Sequence, residues 1–114
     1  MDELVANVAN AAGLDPATAR KAVVIILQFL VNAGPRDKVG PLIDSIPGAR
    51  EAVGDGTGGP SDIMSAFNAL TAAGLGMGEV QSAASAFGTA ARDKVGPDTF
   101  DSVVASIPGL SQFV

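Results

Sequence analysis

Ala11-Ala12-Gly13-Leu14 and, further along, Ala72-Ala73-Gly74-Leu75 are the stretches whose reading decides the fold. Ser45-Ile46-Pro47-Gly48 returns in the same way as Ser106-Ile107-Pro108-Gly109. Both offsets are 61 residues (72 − 11 and 106 − 45), so two separated landmarks keep one spacing, which marks an internal repeat. In this register Leu42 matches Val103, Ile43 matches Val104 and Val53 matches Val114, and the apolar positions stay aligned. Residues 1–53 and 62–114 are therefore expected to be two copies of one helical unit within a single domain, residues 1–114. The run Gly-Asp-Gly-Thr-Gly-Gly-Pro, residues 54–60, is expected to link them.

A second echo competes with the first. Arg36-Asp37-Lys38-Val39-Gly40-Pro41 recurs as Arg92 to Pro97, but at an offset of 56 (92 − 36). Both registers cannot be structural equivalence. The 61-residue register is preferred because it joins two landmarks without an insertion. The second copy is then expected to end a long helix, while the first opens a short one.

Within a unit the helix signals are plain. Asp2 opens a first helix to Ala12, with Leu4, Val5, Val8, Ala11 and Ala12 on one face. Gly13 suits the left-handed position after a helix, and Leu14 folds back over the last turn. Asp15-Pro16 starts a second helix, with Pro at its first position, that stops near Asn32 before Gly34-Pro35. Val39, Leu42, Ile43 and Ile46 form the stripe of a third helix, with a bend possible at Gly40-Pro41, and Ala49 to Val53 makes one more turn. The second unit repeats the plan through Ile63, Phe67 and Leu70, then Val80 to Ala91, then Phe100 to Ile107. No stretch alternates like a strand. The expected fold class is all-α, a compact bundle of about six helices built from two pseudo-repeated three-helix units.

The two middle helices differ in kind. From Val23 to Val31 the first is apolar in every direction, the pattern of a helix buried all round. Its counterpart, Ser82 to Ala91, is mostly small, a low-relief surface that a bulky helix can approach closely. The first is expected at the centre of the core against the second. A chain of this size removes only about 65% of its unfolded surface from water. A homodimer covering the remaining face is therefore expected.

Composition excludes much chemistry. The 114 residues include no Cys, His, Trp or Tyr, while Ala stands at 20 positions, Gly at 14 and Pro at 7. Thiolate or imidazole metal sites, disulfides and Cys or His nucleophile–base pairs cannot be built from this set. A mean hydropathy of +0.36 belongs to a folded chain, since disorder needs low hydrophobicity and high net charge. The net charge is −5, and residues 51–91 carry Glu51, Asp55, Asp62 and Glu79 with no Lys or Arg. No basic cluster exists to displace counterions from a polyanion, so no nucleic-acid partner is expected. Met1-Asp2-Glu3 is acidic where a secretory signal is basic, and Gln28 and Asn32 interrupt the longest apolar run, Ala22 to Ala33. A membrane span needs about 20 apolar residues. No membrane insertion and a cytoplasmic location are expected.

Each candidate motif has a plainer explanation. Gly54 to Gly59 spaces its glycines like a phosphate loop, but Pro60 stands where the Lys belongs. Asp55, Thr57 and Asp62 offer oxygen ligands to a hard cation without the bidentate Glu of an EF-type loop, so Asp62 reads better as a helix cap. Asp37 with Asp44, or Asp98 with Asp101, would be the pairs for acid–base work; caps and solvated faces explain them. Ser45 and Ser106 have no evident base and read as turn residues. Met64 and Met77 read as core gap-fillers, and Phe113 and Val114 would fold back or reach a partner. No catalytic, cofactor-binding or metal residue is assigned, and no cofactor is expected.

Two resemblances accompany these motifs. Residues 3–30, from Glu3-Leu4-Val5 through Gly13-Leu14-Asp15-Pro16 to Leu30, resemble the helical hairpin that opens bacterial histone-like (HU) proteins. The β-arms and basic residues that bind DNA in those proteins have no counterpart here. As a whole, the chain resembles small bacterial proteins classed as domains of unknown function, of the VcgC/VcgE type. The likeness lies in the Ala-Gly-Leu hairpin, the Ala-rich middle helix and Ile46 to Gly48 with Ile107 to Gly109. It implies a helical bacterial protein and brings no catalytic residues.

The function expected from the sequence is a non-catalytic module that self-associates or binds a protein partner. A small apolar-ligand carrier or sensor is the alternative, and a carboxylate-dependent enzyme the remote one.

Overall fold

Most helix boundaries fall at glycines and prolines. The structure, a computed structural model, describes residues 2–34, 36–54, 59–107 and 109–112. Among these residues it is helical throughout, with no strand: α1 Asp2–Ala12, α2 Pro16–Ala33, α3 Arg36–Ser45, α4 Ala49–Val53, α5 Ile63–Ala72, α6 Met77–Val95 and α7 Pro97–Ser106, followed by a 3₁₀ turn at Leu110–Gln112. The turn expected at Ala49 to Val53 is a helix in its own right, which brings the described helices to seven.

The helix ends are made by the residues that the sequence nominates. After α1, Gly13 sits at φ +69° and the amide of Leu14 donates to the Ala9 carbonyl at 2.9 Å. After α5, Gly74 sits at φ +109° and Leu75 donates to Leu70 at 3.2 Å. Each bond satisfies a carbonyl that the helix end would leave orphaned, and each following Leu covers the last turn. Asp2 is the first residue of α1, and Asp15 stands at the N-cap of α2 before Pro16, without a side-chain capping bond.

The hexapeptide Arg-Asp-Lys-Val-Gly-Pro takes two conformations. Arg36 to Pro41 lies wholly within α3, with Pro41 inside the helix. Arg92 to Val95 instead completes α6, Gly96 breaks it at φ +90°, and Pro97 opens α7. What precedes each copy decides between them. Gly34 ends α2 just before the first, whereas an unbroken Ala-rich helix runs into the second.

α2 is the central helix, packed against α1, α3, α4, α5 and α6. Ala19, Ala22, Val23, Ile26, Leu27, Phe29 and Leu30 are buried, while Val24, Ile25 and Val31 are half-buried. Most of its apolar circumference is thus covered by the chain itself. α6 buries Val80, Ala83, Ala84, Phe87, Gly88 and Ala91. Its most extensive contact is with α1, not with the bulkier α2. Small Ala and Gly residues on α6 let a neighbouring helix lie close along it.

The segments on either side of the linker interleave. α1 lies chiefly on α6, α5 lies chiefly on α2, and α3 touches both α6 and α7. One apolar core results, with Phe29, Phe87 and Phe100 among its largest side chains. No polar or charged residue is buried among the described residues. The molecule measures 32 × 26 × 24 Å. No described helix is long and apolar enough to cross a membrane.

Candidate functional site

Side chains that the sequence offers for chemistry are spent locally. Asp62 caps α5 by accepting the amide of Ser65 at 2.7 Å. That bond, with help from the Ser65 hydroxyl, holds its carboxyl below the ordinary value despite slight desolvation. Ser45 donates its hydroxyl to the Leu42 carbonyl at 2.7 Å, and Ser106 donates to Ser102 at 2.8 Å. Both hydroxyls bond back onto their own helix, as serines near helix ends do.

One carboxylate of each candidate pair is engaged by an arginine. Asp44 takes Arg50 as its partner, with Nη2 at 2.6 Å and Nε at 2.7 Å from Oδ1. Asp101 takes Arg92, at 3.1 Å from Nη2 and 3.2 Å from Nε. Asp37 and Asp98 stand exposed in the first turns of α3 and α7. Among the described residues no group of three or more carboxylates converges to hold a metal ion. Asp55 and Thr57, like Phe113 and Val114, lie outside the described residues. Met64 and Met77, expected as gap-fillers, are instead the two large apolar side chains most exposed to solvent, at 66% and 72%. Each stands in the first turn of its helix, where a residue has no preceding turn to cover it.

Two concave features stand out. A cleft of about 660 Å³ opens between the start of α1, the α3–α4 corner and the end of α6. Its floor is Leu4, Ile46 and Ala52; its rim mixes Asp2, Glu3, Glu51 and Asp93 with Arg20 and Lys94. Arg20 stands 3.8 Å from Asp2 across it. The second feature is a partly open apolar cavity of about 40 Å³ between α2, α5, α6, α7 and Leu110 of the 3₁₀ turn. Phe29, Phe67, Phe87 and Phe100 line it with Ile63 and Leu70, and no polar atom faces it. A small apolar-ligand carrier or sensor is the alternative expected from the sequence, and this is the apolar space available to one. The gap arises where Ala66 and Ala84 face the four Phe rings.

Comparison with known proteins adds no relative: no family model, curated protein or solved structure matches this chain.

Proposed function

We propose that this chain is a non-catalytic helical module that acts by associating with itself or with a protein partner. The observation that carries this reading is the interleaving of the two segments, α1 on α6 and α5 on α2. The core is already a contact surface between two stretches of chain, each of which needs the other. Supporting it, the hydroxyls of Ser45 and Ser106 and the carboxylates of Asp44, Asp62 and Asp101 are occupied in caps and ion pairs.

The reading includes a duplicated unit. α2 and α6 begin at residues 16 and 77, α3 and α7 at 36 and 97, and α4 and the 3₁₀ turn at 49 and 110. Every pair is separated by the 61 residues that also separate the sequence landmarks. Two copies of a small unit, each lending its first helix to the other, are what fusion of a pair of associating units would leave. The same reading places the chain among small bacterial proteins of the VcgC/VcgE type, on its Ala-Gly-Leu and Ile-Pro-Gly motifs.

The test is molar mass by light scattering across a wide concentration range, after refolding as well as from native purification. A rise from the 11.3 kDa monomer toward twice that mass supports self-association. A monomer under every condition, with no partner, overturns it.

The apolar cavity supports a second reading, a carrier or sensor of a small apolar ligand. Apolar cavities stay dry and accept apolar guests, benzene entering one of about 150 Å³. A 40 Å³ space suits a guest nearer the size of a xenon atom unless the rings move. Methyl shifts of Ile63 and Leu70 under xenon pressure, absent in a Phe67→Trp variant, would favour it; unmoved methyls would dismiss it.

A further inference from the structure

Ahead of α5, the non-helical residues Gly59 and Pro60 lie on α2, against Gln28 and Asn32. In the 61-residue register those two positions correspond to Thr89 and Asp93 of α6, the helix on which α1 packs as α5 packs on α2. Gln28 is half-buried beneath Gly59, whereas Thr89 and Asp93 are exposed. Both line a cleft of about 610 Å³ along α6, which adjoins the 660 Å³ cleft at Asn7, Ala90 and Asp93. We propose that this face of α6 is a docking groove for an extended segment of a partner protein that carries lysine or arginine. It takes that segment as α2 takes the linker. The inference rests on the duplicated-unit reading and gives the protein partner its chemistry.

The molecule holds its own example of such a complex. On α2 the docked residues are seated by a close backbone approach at Gly59 and by the Asn32 amide, which donates to the Pro60 carbonyl at 3.1 Å. The α6 face has more room, because Ala86 and Ala90 stand where α2 carries Ile25 and Phe29.

Chemistry distinguishes the two seats. Asn32 offers a donor and takes a carbonyl, but an ionised Asp93 only accepts, so its guest must present an N–H or a cation. The adjoining cleft points to the cation. Arg20 stands toward Asp2 at 3.8 Å, while Glu3, Glu51 and Asp93 enter no ion pair among the described residues and only Lys94 opposes them on the rim. Leu4, Ile46 and Ala52 form the apolar floor beneath them. A lysine or arginine side chain suits both, since its stem covers apolar surface while its head stays among carboxylates. A small free cation would meet the rim alone and gain nothing from the floor.

The probe is a blocked peptide, acetyl-Gly-Lys-Gly-Pro-Lys-Gly-amide, titrated to millimolar concentration into the full-length isotope-labelled chain at low salt. The amide resonances of Thr89, Ala90, Asp93 and Glu3 should move, while those of Gln28 and Asn32 stay in place. The same peptide with glutamine for lysine, and acetyl-lysine amide alone, should move them little. Asp93→Asn should weaken the peptide about fivefold, the upper range for one exposed ion pair. Ala90→Phe, which places on α6 the side chain that α2 carries at the corresponding position, should abolish binding. If that variant does not fold, Asp93→Asn and the wild-type shifts decide. An unmoved α6 overturns the proposal. So does an equal response to the glutamine peptide, or shifts spread equally over Asp37 and Asp98, as diffuse attraction to an acidic surface gives. Light scattering reads self-association without the peptide. A chain that doubles in mass and leaves the peptide alone keeps the wider reading and rejects the groove; a monomer that leaves it alone rejects both.

Discussion

Gly59 lies against Gln28 so closely that a Cβ on residue 59 would stand 2.6 Å from the Gln28 Cβ and 2.9 Å from its Oε1. The linker thus rests on α2 at the residue that interrupts the apolar run of that helix. Asn32, one turn further on, donates to the Pro60 carbonyl. The two polar residues that break the apolar run from Ala22 to Ala33 are the two that receive the linker.

Replacing Gly59 by Ala should lift the linker off α2. The nearest obstacle is a Cβ, not the far end of a flexible side chain, so Gln28 cannot swing aside. The loss is then bounded by the docked contacts, about 1 kcal/mol for a partly exposed hydrogen bond and its surroundings. Urea unfolding of Gly59→Ala should show this loss, and Gln28→Ala in the same background should not restore it. Full rescue by Gln28→Ala would mean that the side-chain amide, not the Cβ, sets the contact.

Gly74 and Gly78 offer a paired test of conformation against space. Neither would crowd a neighbour if given a Cβ. Gly74, however, sits at φ +109°, which strains any side-chain-bearing residue, while Gly78 lies in the first turn of α6. Gly74→Ala should cost about 1–2 kcal/mol. Gly78→Ala should stabilise by about 0.5–1 kcal/mol by restricting the unfolded chain. Thermal melts of the two variants should move in opposite directions; a common sign would contradict this account.

Asp62 links stability to pH. The Ser65 amide holds the folded carboxyl below its ordinary value, so the unfolded chain takes up the proton first as pH falls. Its contribution is therefore complete above the ordinary carboxylate pKa and is lost as pH drops through the lowered, folded one. Asp62→Ala should lower the melting temperature at neutral pH and converge with wild type in acid. Asp62→Asn, which keeps an acceptor at every pH, should retain most of the neutral stability and lose this part of the pH dependence. A constant gap between Asp62→Ala and wild type down to strong acid would remove the cap from the explanation.

What the sequence discloses and what it hides follow from range. Gly13-Leu14, Asp15-Pro16 and Gly74-Leu75 are local instructions, and each appears at the expected helix end. Arg36 to Pro41 and Arg92 to Pro97 show the limit of local instruction, because one hexapeptide opens α3 and its copy closes α6. Their fates follow from Gly34 before the first and the Ala-rich helix before the second. Which helix lies on which is a longer-range matter. The small residues of α6 announced a close neighbour, but α1 and α2 both carried suitable faces, and α1 takes most of the place. The apolar surplus of α2 suggested a second molecule, yet α5 from beyond the linker covers much of it. Periodicity states that a face is buried without saying by what. The apolar cavity is less legible still, since it depends on how Ala66 and Ala84 meet four Phe rings drawn from separate helices.

Arg92 holds the α6–α7 corner by two interactions that salt should separate. Its Nε and Nη2 both donate to Asp101 Oδ1, and its Cζ lies 5.1 Å from the centroid of the Phe100 ring. That ring is buried and packs tilted against Phe87 at 6.4 Å. The ion pair is partly solvated, with the Asp101 side chain 59% exposed, so its coupling should stay under about 1 kcal/mol. At 1 M salt the Debye length falls to about 3 Å, and this coupling should nearly vanish. The ring contact has its far side in the core, so its coupling, about 0.5–1 kcal/mol, should persist. Double-mutant cycles of Arg92→Met with Asp101→Asn and with Phe100→Leu, run at low and at 1 M salt, separate the two. Met keeps most of the arginine stem, so stem packing on the ring drops out of the comparison. If the Phe100 coupling fell with salt as steeply as the Asp101 coupling, the corner would be held by charge pairing alone.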